Sequence, residues 1–175
     1  MKVTKTKFEV LLIFNTPKHK DNRGYLREVI IEKNIKQKFK FQIISKSKKN
    51  VLRGMHFQLK KPQGKFLSVF KGKILDVVVD LRKKSKTFGK YFAVILSEDN
   101  CKSIYIPPGF AHGFYAIEKE NIVNYSCTEY RSKKDECGLS WNDKTINIKW
   151  PRKKIIISKK DKKNLSFEEV VKLIK

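Results

Sequence analysis

Lys73-Ile-Leu-Asp-Val-Val-Val-Asp-Leu81 alternates with a period of two. Successive side chains of a strand point to opposite faces. Leu75, Val77, Val79 and Leu81 therefore share one face, and Asp76 and Asp80 fall on the other. The run Lys65–Lys71 before it also reads as a strand, and the two residues Lys71-Gly72 predict a tight hairpin. Further out, short runs rich in Val, Ile, Phe and Tyr are bounded by Gly, Pro, Asn, Asp and Lys. They predict strands over 9–14, 27–33, 38–45, 51–58, 65–71, 73–81, 90–97, 103–107, 111–117, 121–129 and 154–157. The stretch Ser166-Phe-Glu-Glu-Val-Val-Lys-Leu-Ile-Lys175 reads as a helix, with Ser166 as its cap and Glu169 as the capping-box partner. Many short strands with regular turn signals predict a mainly β fold, a jelly roll ending in a short C-terminal helical segment.

The 175 residues fit one domain, residues 1–175. The formal net charge of +24 invites a nucleic-acid partner, because a basic domain attracts phosphate whatever its fold. That charge comes from 35 Lys and only 6 Arg. Arginine is the residue that forks onto phosphate and guanine, so the surplus argues against sequence-specific recognition. The lysines are also dispersed, the densest stretch being Lys149 to Lys163. The expected reading is a solvated basic surface and no nucleic-acid partner. Cys101, Cys127 and Cys137 are odd in number and lack the spacing of a disulfide framework or zinc ribbon, which suits a reducing cytoplasm. The apolar run Val10–Phe14 is too short for a signal-peptide core, and no stretch approaches membrane-spanning length. No membrane partner is expected.

Chemistry concentrates around two of the three histidines. His56 lies in Val51-Leu-Arg-Gly-Met-His-Phe-Gln58 and His112 in Ile106-Pro-Pro-Gly-Phe-Ala-His-Gly-Phe114. A histidine on a cavity-lining strand can act as base, acid or metal ligand near neutral pH. A transition-metal site of the jelly-roll type needs two or three His plus a carboxylate, and Gln58 stands where a second His of the first cluster would be expected. No metal is expected. His19 sits in a polar loop and is given no role.

Several blocks then occur in order: Asp21-Asn-Arg-Gly24 with Glu28, Arg53-Gly-Met-His-Phe-Gln58, Gln63-Gly-Lys65, Asp76–Arg82, Ile106–Phe114, Trp141-Asn-Asp143 and Trp150-Pro151. Together they resemble the dTDP-4-dehydrorhamnose 3,5-epimerase family, over about residues 8 to 161. The resemblance implies a cupin-type double-stranded β-helix, a homodimer, and no metal or nicotinamide cofactor. It implies a nucleotide-linked 4-keto-6-deoxyhexose as substrate, with protons removed and returned at C3 and C5 through an enolate. On the matching positions it implies His56 as catalytic base, Asp161 as its carboxylate partner, Lys65 beside the C4 oxygen and Tyr125 as general acid. It implies substrate binding by Arg23, Glu28, Arg53, His112, Glu136 and Lys160, with Tyr130 stacking on the base; His112 is alternatively a structural support for Asp76. One departure stands out. Phe41-Gln-Ile-Ile44 precedes Ser45-Lys-Ser47 where the family often carries Gln-Asp-Asn or a close variant.

The residues leave other readings open at this point. These are a single-centre 3- or 5-epimerase of a dTDP-, GDP- or CDP-linked sugar, a non-catalytic basic jelly roll binding anions or nucleic acid, and a metal-dependent cupin.

Overall fold

The computed structural model describes residues 1–8, 10–151 and 154–174. Glu9 of the expected strand 9–14, Arg152 and Lys153 of the basic stretch, and Lys175 of the expected helix lie outside the described residues. One six-stranded sheet holds, in spatial order, β1 (Lys2–Lys5), β2 (Leu12–Asn15), β10 (Lys102–Ile106), β7 (Lys65–Lys71), β12 (Glu120–Cys127) and β5 (Phe41–Lys48). A five-stranded sheet holds β13 (Glu136–Gly138), β6 (Leu52–Gln58), β11 (Phe110–Ala116), β8 (Lys73–Asp80) and β9 (Tyr91–Ser97). The pairings within both sheets are antiparallel. β3 (His19–Asp21) and β4 (Gly24–Leu26) form a separate exposed hairpin. The fold is the expected jelly roll, with two antiparallel sheets packed over one core.

That core joins Leu67, Val69, Ile104 and Val123 of the larger sheet to Ile74, Val78, Leu96 and Phe114 of the smaller. The alternation in β8 is as the sequence predicts, but neither of its faces meets water. Ile74 and Val78 face the larger sheet, while Val77, Val79 and Leu81 pack under Leu139, Ile146 and Val170 from the C-terminal part of the chain. Asp80 is therefore fully buried. Its carboxylate accepts hydrogen bonds from Arg82, Ser85 and Thr87, which pin the connection to β9. On the far side, Phe14, Phe66 and Tyr105 are covered by Ile35 together with Val29, Ile30 and Phe39.

Several expected elements take another form. Residues 27–33 do not make a strand; α1 (Glu32–Ile35) follows, and Val29 and Ile30 bury themselves against an outer sheet face without joining a ladder. Lys71-Gly72 is not a hairpin turn, since β7 and β8 belong to different sheets. Gly72 turns the corner at φ +81, where a Cβ would collide with the Glu120 carbonyl. Residues 154–157 contribute an isolated parallel bridge, Val51 to Ile156. β1 is fully exposed and β13 is only three residues long, so neither carries a burial pattern to read.

α2 (Phe167–Leu173) begins at the expected capping box. The Glu169 amide donates to Ser166 Oγ, and the Ser166 amide donates to Glu169 Oε2 at 2.7 Å. Ser166→Ala is expected to cost about 0.5–2 kcal/mol. The check is a lowered urea midpoint at unchanged slope; an unmoved midpoint would refute it.

Candidate active site

A cavity of about 590 Å³ lies between the two sheets, with walls from β5, β7 and β12 on one side and β6 and β11 on the other. Its histidine side depends on two glycines. A Cβ on Gly54 would stand 2.6 Å from Gly113 Cα, so only glycine lets β6 and β11 come this close. His56 and His112 are direct register partners across that pair of strands.

His56 Nε2 lies 2.7 Å from Asp161 Oδ1. The partner arrives from 105 positions away because Ile156 bridges to the start of β6: its amide donates to the Asn50 carbonyl, and its carbonyl accepts from the Leu52 amide. A single 3₁₀ turn, Asp161–Lys163, then presents the carboxylate. Asp161 Oδ2 also accepts from the Gly54 amide at 3.3 Å. Burial works to raise the Asp161 pKa, but the bonds from His56 and Gly54 and the positive charge of the imidazole outweigh it and hold the carboxyl below its usual range. A carboxylate accepting from Nε2–H orients the ring, leaves the lone pair on Nδ1 and stabilises the imidazolium once a proton is taken.

His112 Nε2 makes the same 2.7 Å contact with Asp76 Oδ2, deeper in the wall. Burial pushes the His112 pKa down against the pull of Asp76, and the nearby Lys65 and His56 push it the same way. His112 is thus a neutral ring that both lines the cavity and supports Asp76.

The opposite wall carries Lys65 at the head of β7 and Tyr125 on β12. Burial lowers the Lys65 pKa, opposed by Cys127, Glu136 and Asp76. Burial raises the Tyr125 pKa well above the ordinary phenol value, so its proton is firmly held. Its hydroxyl is 3.3 Å from Ser45 Oγ, and its ring packs edge-on to His112 at 6.2 Å.

Arg53, Glu136 and Lys160 line the same cavity. Arg53 is held by donating to Ser47 Oγ at 2.9 Å and to the Lys46 carbonyl at 3.0 Å. Glu136 sits between Arg131 and Lys160, at 2.7 and 3.2 Å. Tyr130 lies outside the cavity lining, 62% exposed and stacked on Phe41 with centroids 5.9 Å apart. Arg23 and Glu28 do not reach this chain's cavity. Arg23 is on the exposed hairpin, bound to Asp21, and Glu28 is exposed just beyond it. Ser45, Cys127 and Arg131 were not read from the sequence as site residues, yet they line the cavity. The signal for Cys127 was its place two residues beyond Tyr125, on the same strand face. Ser45 and Arg131 carried no comparable signal. Among the described residues, no three His, Cys, Asp or Glu side chains are grouped to hold a metal ion, and no helix is long and apolar enough to cross a membrane.

The cupin-type jelly roll thus brings the His56–Asp161 pair at β6 to face a half-buried lysine and a half-buried phenol from the larger sheet, groups of the kind that move protons at carbon in isomerases. Residues 5–169 match the family model of dTDP-4-dehydrorhamnose 3,5-epimerase, and the chain belongs to that family. It is 42% identical over 166 residues to the dTDP-4-dehydrorhamnose 3,5-epimerase of Methanothermobacter thermautotrophicus, covering 90% of each chain. It superposes on the dTDP-6-deoxy-D-glucose-3,5-epimerase of Legionella pneumophila, solved in complex with dTDP-4-keto-L-rhamnose, with a TM-score of 0.94 and 33% identity over 99% of this chain and 96% of that one. The dTDP-4-dehydrorhamnose 3,5-epimerase of Sulfolobus tokodaii gives a TM-score of 0.88 at 38% identity, covering 97% of each chain.

Proposed function

We propose that this chain epimerises C3 and C5 of dTDP-4-dehydro-6-deoxy-D-glucose, giving dTDP-4-dehydro-L-rhamnose. The observation that carries the reading is the facing of His56–Asp161 and Tyr125 across one cavity, with Lys65 on the phenol's wall. Protons on C3 and C5 are α to the C4 ketone, so His56 Nδ1 removes one and leaves an enolate. The Lys65 ammonium stabilises the oxygen on which charge develops. Tyr125 returns a proton to the carbon from the other face, which inverts the centre. Asp161 acts through His56 by stabilising the imidazolium. Arg53, with the Arg131–Glu136–Lys160 cluster, holds the diphosphate, and Tyr130 stacks on the base.

On this reading the protein is a single domain and a homodimer of the cytoplasm. Its three cysteines are free thiols. The dimer accounts for Arg23 and Glu28. They project with Tyr25 and Leu26, which are 52% and 66% exposed, and would serve the partner's cavity.

Incubation of the enzyme with substrate in deuterated water tests the chemistry. Label is expected at both C3 and C5; label at neither overturns the function, and label at one makes it a single-centre epimerase. In Tyr125→Phe, exchange is expected to outlast inversion, because removal of the proton survives while its return from the other face does not. Equal loss of both refutes the role of Tyr125.

A further inference from the structure

We propose that Asn164 is a positioning residue for the base: by holding the Gly54 carbonyl it fixes the Asp161 turn onto β6 and so keeps His56 in its reactive tautomer. The inference rests on the function proposed above and adds a residue to the same site. The Ile156 and Leu165 bridges fix the two ends of the segment that carries Asp161, but not the turn between them. Ser158-Lys-Lys-Asp-Lys-Lys-Asn164 has no apolar side chain to bury, and its four lysines repel one another. Polar contacts must therefore set its position.

Asp161 opens the 3₁₀ turn and Asn164 follows as its C-cap. Side chains three apart in such a turn eclipse, so the two point the same way. They meet the two polar backbone groups of one residue. Asp161 Oδ2 accepts from the Gly54 amide at 3.3 Å, and Asn164 Nδ2 donates to the Gly54 carbonyl at 3.2 Å. The β6–β11 register shifts opposite this point, between His112 and Phe114, and backbone groups at such an irregularity need partners from outside the ladder. Position 138 carries the imprint of the same contact. Gly138 is the register partner of His56 on β13. A Cβ there would overlap the Asn164 amide group, and the three atoms it would meet first all belong to that side chain. Glycine stands at 138 because Asn164 fills the space above it.

The test uses the full chain and two readouts. The first is the tautomer of the neutral His56 ring, read from its nitrogen resonances. The parent is expected to show Nε2–H alone. Asn164→Ala, and Asn164→Asp, which removes the donor at similar volume, are expected to show both tautomers. The second is the rate. Asn164→Ala is expected to lower kcat by about 10–100-fold, the loss that follows misplacement of a reacting group, with dTDP affinity unchanged. In an Asp161→Ala background the same substitution should cost no further rate, because Asn164 acts through that carboxylate. Gly138→Ala should reproduce the loss, and the Gly138→Ala/Asn164→Ala pair should lose no more than either alone. A single tautomer retained in both Asn164 variants overturns the inference whatever the rate. So does an equal fold-loss with and without Asp161, which would mark a merely structural residue, or a Gly138→Ala variant at the parent rate. A parent that incorporates no label removes the proposed function instead, and the tautomer comparison still decides whether Asn164 holds His56.

Discussion

His56→Ala is expected to lower kcat by about 10³-fold or more, at the upper end of what a positioned general base contributes, because no other basic group stands in its place. His112 is the nearest alternative, but its Nε2 is committed to Asp76. The substitution also weakens the hold on Asp161, whose Oδ1 loses its short contact with His56 while Oδ2 keeps the longer bond from Gly54. A buried carboxylate deprived of a partner costs about 1–3 kcal/mol, so Tm should fall by roughly 2–10 °C without loss of the fold. His56→Asn separates the two effects. An amide that donates to Asp161 recovers part of the Tm and none of the rate. Kinetics and calorimetry on both variants decide it, and an asparagine variant within tenfold of the parent rate would remove His56 from the base role.

Lys65→Met is expected to lower kcat by about 10²–10³-fold, the loss that follows removal of one preorganised group from a developing oxyanion. Stability should hold, since an unbranched apolar chain of similar volume replaces a half-buried charge. The pH profile supplies the second readout. Burial lowers the Lys65 pKa, and the active form is the ammonium, so kcat should fall as pH rises through a value below the ordinary lysine pKa of 10.5. Tyr125 does not produce that limb, because burial drives its pKa the other way and the phenol keeps its proton over the same range. The limb should therefore vanish from the residual activity of the methionine variant. A limb that persists unchanged would place the titrating group elsewhere.

The architecture was legible where burial imposes a period. β8 shows it best, since the alternation of Leu75, Val77 and Val79 against Asp76 and Asp80 survives in the packing. What the pattern did not reveal is that the aspartate face is buried too, because a carboxylate held by Arg82, Ser85 and Thr87 reads like one facing water. The corner at Gly72 was misread for a related reason. A two-residue link between strands looks the same whether it folds a hairpin or passes the chain between sheets. At the site, His56, His112 and Tyr125 each sat on an evident strand, while the close approach that Gly54 and Gly113 allow emerges only from the pairing of β6 with β11. Asp161 was different. No periodicity couples it to His56, and only the resemblance joined them before the Ile156 bridge supplied the physical link. The stacking of Phe41 on Tyr130 depends on how β5 lies beside the segment after β12, which no local signal encodes.

The docking of Asp161 onto β6 also sets an order of events at the ribosome. Both sheets and their shared core are made from residues that emerge before 140. A nascent chain at that stage holds a histidine with no carboxylate, and the outer face of β8 still lacks the cover of Ile146 and Val170. Residues 156 to 161 must follow and lie down along β6 before the base is oriented. The residues of both sheets are thus made before the carboxylate that orients the base.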